Sequence, residues 1–309
     1  MQTSSRLVGF TGALTAYLCW GFMPVYWRLL SEAASWEVIA HRLIWSPLVI
    51  LALLLLRGKF SGIAASVRLL AREHRQLFFL FCAAGFAALN WWINVVAVQQ
   101  ARVVELGIGM FLTPLMSICF GVVLFRETLG KLKAWGVAAA GIGIAVLIAG
   151  YGTFPWIALG VSSTWAVYGV FKRVLTLDPW ISNMLEACLL VPAAVIYVLW
   201  LNQTGAGHFL AGNEVLALAL IGTGFVTSVP MIAFAYAVQN LPMTVFGFCQ
   251  YLNPILTMTV GLVIFGEPFN DAFAVPLALV LAAVACFAVS EIRAAKSPAE
   301  ARMYADRKA

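Results

Sequence analysis

Charge is what this 309-residue chain has least of: Asp, Glu, Lys and Arg make 10% of it, against about 25% in a soluble globular protein. A water-soluble domain of this length needs a charged surface to stay dispersed, so an ordinary soluble enzyme is excluded. Catalytic motifs are missing too. Neither H-E-x-x-H nor G-x-S-x-G occurs, and the only aspartates, Asp178, Asp271 and Asp306, fall at or beyond the ends of apolar runs, which speaks against an intramembrane enzyme. Without a Walker sequence, ATP is not the direct energy source. The six cysteines (Cys19, Cys82, Cys119, Cys188, Cys249 and Cys286) sit inside apolar runs without C-x-x-C spacing and read as packing thiols rather than disulfides or ligands. No metal and no cofactor is expected.

What is present is apolar: 63% of the residues are hydrophobic, so the solvent for most of the chain is lipid. A spanning helix takes roughly 20 residues, and the length therefore allows about ten spans with short connections and no soluble domain. Apolar runs predict spans at 7 to 28, 36 to 56, 77 to 100, 103 to 125, 132 to 150, 155 to 173, 180 to 201, 214 to 239, 243 to 265 and 272 to 292. The first run continues through Trp20, Pro24 and Trp27, past the core of a signal peptide, and reads as a retained span.

The net charge of +6 does not point to nucleic acid, because the basic residues lie in the gaps between apolar runs rather than in a stripe with aromatics. They orient the chain. With the N-terminus inside, one side holds Arg6, the group Arg57 to Arg75, Arg126 with Lys131 and Lys133, Lys172 with Arg173, and the bases from Arg293 to Lys308. The other side holds only Arg28 and Arg102. The positive-inside rule then places both termini in the cytoplasm, and the basic stretch 60 to 75 reads as an inner-leaflet surface helix.

The chain also repeats itself. At an offset of 140, Ala97, Val98, Gln99, Gly107, Leu112, Pro114, Gly121, Val123, Phe125 and Glu127 recur as Ala237, Val238, Gln239, Gly247, Leu252, Pro254, Gly261, Val263, Phe265 and Glu267. Upstream the offset is 148, pairing Gly12, Tyr17, Trp20 and Gly21 with Gly160, Trp165, Tyr168 and Gly169, and Trp36 meets Trp180 at 144. The expected organisation is therefore an all-α polytopic membrane protein of ten transmembrane helices: a first five-helix repeat at 1–150, a second at 151–293 and a basic cytoplasmic tail at 294–309. Five is odd, so the second repeat enters inverted, which gives two pseudo-equivalent conformations for alternating access with the site near the midplane.

This pattern resembles the drug/metabolite transporter superfamily and its EamA-type members, most closely the RarD group of permeases. The resemblance rests on Ala16-Tyr17 through Trp20-Gly21, His41 to Ser46, Asn90-Trp91, Glu105-Leu106-Gly107, Thr113-Pro114-Leu115, Arg126-Glu127, Gly247-Phe248, Gln250-Tyr251 and Asn253-Pro254, in order over nearly the whole chain. It implies a bacterial inner-membrane permease linked to chloramphenicol sensitivity. Where that group tends to have Asn before the fourth-span proline, this chain has Thr113, so a role for that amide does not transfer.

Ionisable residues inside spans are costly and are functional candidates by default. Glu37 and His41 are four apart on one face of the second span, where the pair can share a proton. Arg42 offers a planar cation that suits a substrate carboxylate or phosphate; alternatively it pairs with Glu37 or Glu105 to seal the external end. Glu105 can bind a coupling proton, and Glu186 reads equally as a capping or packing residue. The amides Asn90, Asn94, Gln250 and Asn253, with Trp91 and Tyr251, either bond neighbouring helices or line a wet cavity. Tyr17 and Trp20, mirrored by Trp165 and Tyr168, either pack the core or stack on an amphipathic solute.

The expected function is a secondary transporter (permease or exporter) of small metabolites or drug-like solutes, with protons as a coupling ion through Glu105 or His41. Its partners are a small-molecule substrate and the lipid bilayer. A facilitative channel or exchanger is the second reading, and an intramembrane enzyme the third.

Overall fold

The computed structural model describes residues 2–56, 58, 61–100, 102–151, 154–266 and 274–296. These form helices α1 (Gln2–Arg28), α2 (Ser35–Leu56), α3 (Ser61–Arg72), α4 (His74–Gln99), α5 (Val103–Phe125), α6 (Lys131–Tyr151), α7 (Trp156–Val174), α8 (Pro179–Thr204), α9 (Glu214–Asn240), α10 (Met243–Gln250), α11 (Leu252–Val263) and α12 (Ala274–Lys296). Helices lie over all the expected spans, and among the described residues 8 segments are long and apolar enough to cross a membrane, with α10 and α11 counted as one. The chain is an all-helical multi-pass membrane protein. Glu267, Asp271 and the tail beyond Lys296 lie outside the described residues, as do Arg57 and Lys59.

Local chemistry sets the helix ends. Asp178 accepts from the Trp180 amide at 2.9 Å, with Pro179 in the first turn, and opens α8. Gly205, at φ 69, closes it in the left-handed conformation that favours glycine. Asn213 caps α9 by accepting from the Leu216 amide at 3.2 Å. The expected ninth span, 243 to 265, is made of two helices: α10 stops at Gln250, four residues before Pro254, where the proline ring excludes the carbonyl of residue 250 from the ladder. Pro24, Pro47, Pro114, Pro192 and Pro230 lie inside unbroken helices.

Helices pack as α1 on α9, α4 on α7, α2 on α8, α5 on α10, α6 on α12, α5 on α7, and α1 on α11. α7, which carries Ser162, Ser163, Thr164, Lys172 and Arg173, lies against α4, α5 and α9, so protein rather than lipid surrounds it. Glycines allow the closest approaches. A Cβ on Gly12 would stand 2.6 Å from the Ala233 carbonyl oxygen of α9, and one on Gly160 would stand 3.0 Å from Ile93 of α4. Contacts also define two ends. At one, Tyr26 near the end of α1 donates to the Ala219 carbonyl at 2.6 Å near the start of α9. At the other, Glu291 of α12 meets Arg6 of α1 and Lys133 of α6. α3 keeps Arg68 and Arg72 exposed and Leu70 buried, as an amphipathic surface helix should.

The α2–α9 contact is equally tight, since a Cβ on Gly224 would come within 2.6 Å of the Trp45 backbone. Gly224→Ala is therefore expected to cost about 1–3 kcal/mol through overpacking and to lower the unfolding temperature in detergent by several degrees. Gly85, whose Cβ would meet nothing within 4 Å, is the control: Gly85→Ala leaves that temperature unchanged or raises it.

Candidate functional site

A cavity of about 470 Å³ lies between α1, α2, α4, α5, α7 and α11. Every lining segment belongs to the end of the bundle that holds the α1–α2 connection: Tyr17 to Trp27 of α1, Ser35 to Arg42 of α2, Asn90 to Val95 of α4, Leu106 to Pro114 of α5, Val161 and Trp165 of α7, and Gln250 to Thr257 across the break at Tyr251. Met231 of α9 completes it.

Aromatic rings form its floor. Trp20 and Trp165, from corresponding turns of the two sequence repeats, meet edge to face with centroids 5.5 Å apart. Behind them Trp165 contacts Tyr168 at 5.1 Å and Phe234 at 5.3 Å, and Phe234 meets Phe246 at 5.1 Å. Tyr17 closes the layer at 5.6 Å from Trp20. These rings are buried hydrophobic mass with edges and faces available on the cavity side.

The amides are partly bound within the protein. Asn90 donates to the Val161 carbonyl at 2.8 Å and to the Thr164 hydroxyl at 2.9 Å, tying α4 to α7. Asn94 donates back to the Asn90 carbonyl at 2.8 Å. Gln250 donates to the Ser117 hydroxyl at 2.6 Å, tying α10 to α5. Asn253 accepts from Thr257. All four amides line the cavity; Asn90 and Gln250 also join helices, whereas Asn94 and Asn253 bond within α4 and α11.

Arg42 is the charged group of this cavity. Its Nε donates to the Thr227 hydroxyl at 3.0 Å, and its guanidinium lies 5.2 Å from the Trp27 ring and 5.4 Å from the Trp91 ring. The expected ion pair with Glu37 or Glu105 is not formed, because both carboxylates are engaged elsewhere. Glu37 accepts from the backbone amides of His208 at 2.6 Å and Phe209 at 3.3 Å, and meets the His208 ring at 2.9 Å. Glu105 accepts from the Ile157 amide at 2.7 Å at the start of α7, where a carboxylate suits the helix dipole, and pairs with Arg102. Among the described residues no carboxylate is paired with Arg42.

Four expected site residues stand away from the cavity. Glu105 is a helix cap, and His41 turns from Glu37 to accept from the Trp45 indole at 3.0 Å, beneath the Phe209 ring at 4.7 Å. Tyr168 and Tyr251 are wholly buried. Tyr17, Trp20, Arg42, Asn90, Trp91, Asn94, Trp165, Gln250 and Asn253 do line it. Lys172, expected among the loop bases, is instead fully buried within α7, where it binds Glu186 at 2.7 Å and the Ser182 hydroxyl at 2.6 Å. Its spacing of four from Tyr168, on the face toward α8, was the available sequence signal. Thr227, Met110 and Trp27 carried no comparable signal.

At the opposite end the helices are clasped shut. Glu127, just beyond α5, accepts from the first amides of α10, Met243 at 2.7 Å and Thr244 at 2.8 Å, and pairs with Arg173 of α7 at 3.2 Å. Arg173 also donates to the Leu241 carbonyl. One carboxylate thereby joins three helices.

The EamA-like transporter family matches residues 7–149 and again 155–289. Protein RarD of Streptomyces exfoliatus is 33% identical over 296 residues, covering 96% of this chain and 91% of its own. Protein RarD of Escherichia coli is 28% identical over 94% of this chain and 97% of its own, and an uncharacterised transporter of Vibrio cholerae is 27% identical over 95% and 96%. A solved crystal structure shares the fold with a TM-score of 0.67 at 19% identity, covering 93% of this chain and 98% of its own. The chain belongs to the EamA-like transporter family, among its RarD-type permeases.

Proposed function

We propose that the protein is a secondary transporter that moves small organic anions with an apolar or aromatic body by alternating access between two inverted five-helix halves. The observation that carries the substrate class is Arg42, a cation that among the described residues has no carboxylate partner and lines a 470 Å³ cavity beside Trp27 and Trp91. A permanently charged planar fork in a partly dry site favours a carboxylate, sulfonate or phosphate, and the aromatic floor favours a flat body.

The packing supports two equivalent halves. Exchanging them turns the α1–α9 pair into α4–α7 and the α5–α7 pair into α11–α1, and all four pairs are present. Gly12 against Ala233 likewise becomes Gly160 against Ile93. With the basic connections in the cytoplasm of a bacterial inner membrane and both termini inside, the cavity faces outward and the Glu127 clasp closes the inner end. Alternation then requires that clasp to open while the outer end closes around Glu105 and Glu37.

Tryptophan quenching tests the substrate class with naphthalene-2-sulfonate and its neutral isostere 2-naphthalenemethanol. The sulfonate is expected to bind and Arg42→Ala to weaken it by at least tenfold without lowering the unfolding temperature, while Arg42→Lys recovers part of the affinity. Equal loss for the neutral isostere would show that Arg42 shapes the cavity instead of reading charge. Counterflow of the sulfonate in liposomes separates a carrier from a channel, since only a carrier exchanges internal for external solute.

The clasp makes a second expectation. Charge-assisted hydrogen bonds are worth about 1.5–3 kcal/mol each, so Glu127→Ala shifts the balance of facing states by roughly tenfold or more. In a cysteine-free background, maleimide labelling of Thr244→Cys, buried under the clasp, should accelerate by a similar factor. Unchanged labelling would mean that the inner end is closed by the aromatic floor alone.

A further inference from the structure

A second, small cavity of about 40 Å³ adjoins the first and shares Arg42, Trp91 and Met231 with it. Such a space admits one or a few waters, not a substrate. Its walls pair across the sequence repeat. At the offset of 144 that aligns Trp36 with Trp180, Arg42 aligns with Glu186, Leu43 with Ala187 and Ser46 with Leu190; at 140, Ala87 aligns with Thr227 and Trp91 with Met231. All ten of these wall residues line the crevice. The repeat position that carries the cation on α2 therefore carries a carboxylate on α8, and the two face one water-sized space.

Glu186 is the one carboxylate among the residues lining either cavity. Its Oε1 accepts from Lys172 at 2.7 Å and its Oε2 from the Tyr168 hydroxyl at 3.2 Å. Lys172 has further partners, the Ser182 hydroxyl at 2.6 Å and the Asn183 side-chain amide oxygen Oδ1 at 3.4 Å, so its ammonium remains bound if Glu186 loses its charge. Around Glu186, α7 contributes Lys172 and Tyr168, and α2 contributes Arg42. The crevice walls from α4 (Ala84, Ala87, Trp91) and from α9 (Thr227, Ser228, Met231) hold no titratable group, and Arg68 and Arg72 of α3 are exposed.

We propose that Glu186 is a proton-binding site linked to the anion site at Arg42, so that one proton travels with each anion. This rests on the anion reading of Arg42. Hydronium delivers its proton through the crevice to a Glu186 carboxylate oxygen and leaves as water; Lys172 and Tyr168 keep theirs. Before binding, two cations, Arg42 and Lys172, face one anion, Glu186. A bound anion cancels the excess positive charge, and a proton on Glu186 restores it. Each ligand thus favours the other, and by linkage the effect is reciprocal. Neither Glu105 nor Glu37 lines either of these two cavities, so neither the Glu105 cap nor the Glu37–His208 contact shares the space at Arg42.

The test uses naphthalene-2-sulfonate, which stays ionised throughout, on the purified full chain. Its affinity is expected to rise as pH falls, by up to tenfold per pH unit while Glu186 titrates, with uptake of one proton per anion read by an indicator dye. Glu186→Gln should hold the tight affinity at every pH and take up no proton. Because that variant leaves Lys172 buried without its counterion, the double variant Glu186→Gln with Lys172→Met, which removes both charges, must also be flat. A pH slope that survives in either variant overturns the proposal, as does pH-independent binding to the unaltered protein. A ligand-free arm distinguishes this failure from that of the anion reading. Infrared titration should show a protonated-carboxyl band that is lost in Glu186→Gln, and its absence overturns the proton site even if the sulfonate binds; no sulfonate binding at any pH overturns the anion reading and, with it, the linkage.

Discussion

Lipid offers no hydrogen bonds, so every polar group inside this bundle must find its partner within the protein or in trapped water. That constraint sorts the few charged residues into two uses. Glu37, Glu105 and Glu127 are committed to backbone amides, two of them at the first turns of α7 and α10, where unpaired N–H groups would otherwise be stranded. Arg42 and Glu186 instead line the cavities. Arg42 satisfies part of its fork with Thr227 and two indole faces, an arrangement that solvates a cation weakly and leaves it attractive to an anion.

The same constraint explains the dual role of the amides. Asn90 and Gln250 each tie together helices from different sequence halves, α4 to α7 and α10 to α5. A side chain that bridges the halves beside a cavity is part of the framework and part of the lining at once. The same hydrogen bonds therefore hold the two halves together and shape the cavity wall.

Span positions were legible in the sequence because twenty-residue apolar runs have few other uses in a chain this poor in charge. The cavity aromatics were legible because they stood in mirrored register, and the amides because polar side chains inside apolar runs must find partners or water. The uses of Glu37 and Glu105 were not. Their partners are amides 171 and 52 residues away, and backbone groups leave no trace in composition. Lys172 was misread for a related reason: a base near a span end resembles a topology signal until the facing helix supplies Glu186 and Ser182. The break of the ninth span followed from Pro254, but the equivalent Pro114 sits in an unbroken α5, so proline alone does not determine where a helix divides.

The opposition of Arg42 and Glu186 across one crevice also bears on ancestry. A bundle assembled from two identical five-helix chains would present the same side chain from both sides of its symmetry axis, two arginines or two glutamates repelling each other in a space without bulk water. Opposite charges at that place require two copies that can diverge separately. Fusing duplicated halves into one polypeptide does more than fix their stoichiometry: it makes a charge-complementary centre available that no homodimer of the same fold can encode.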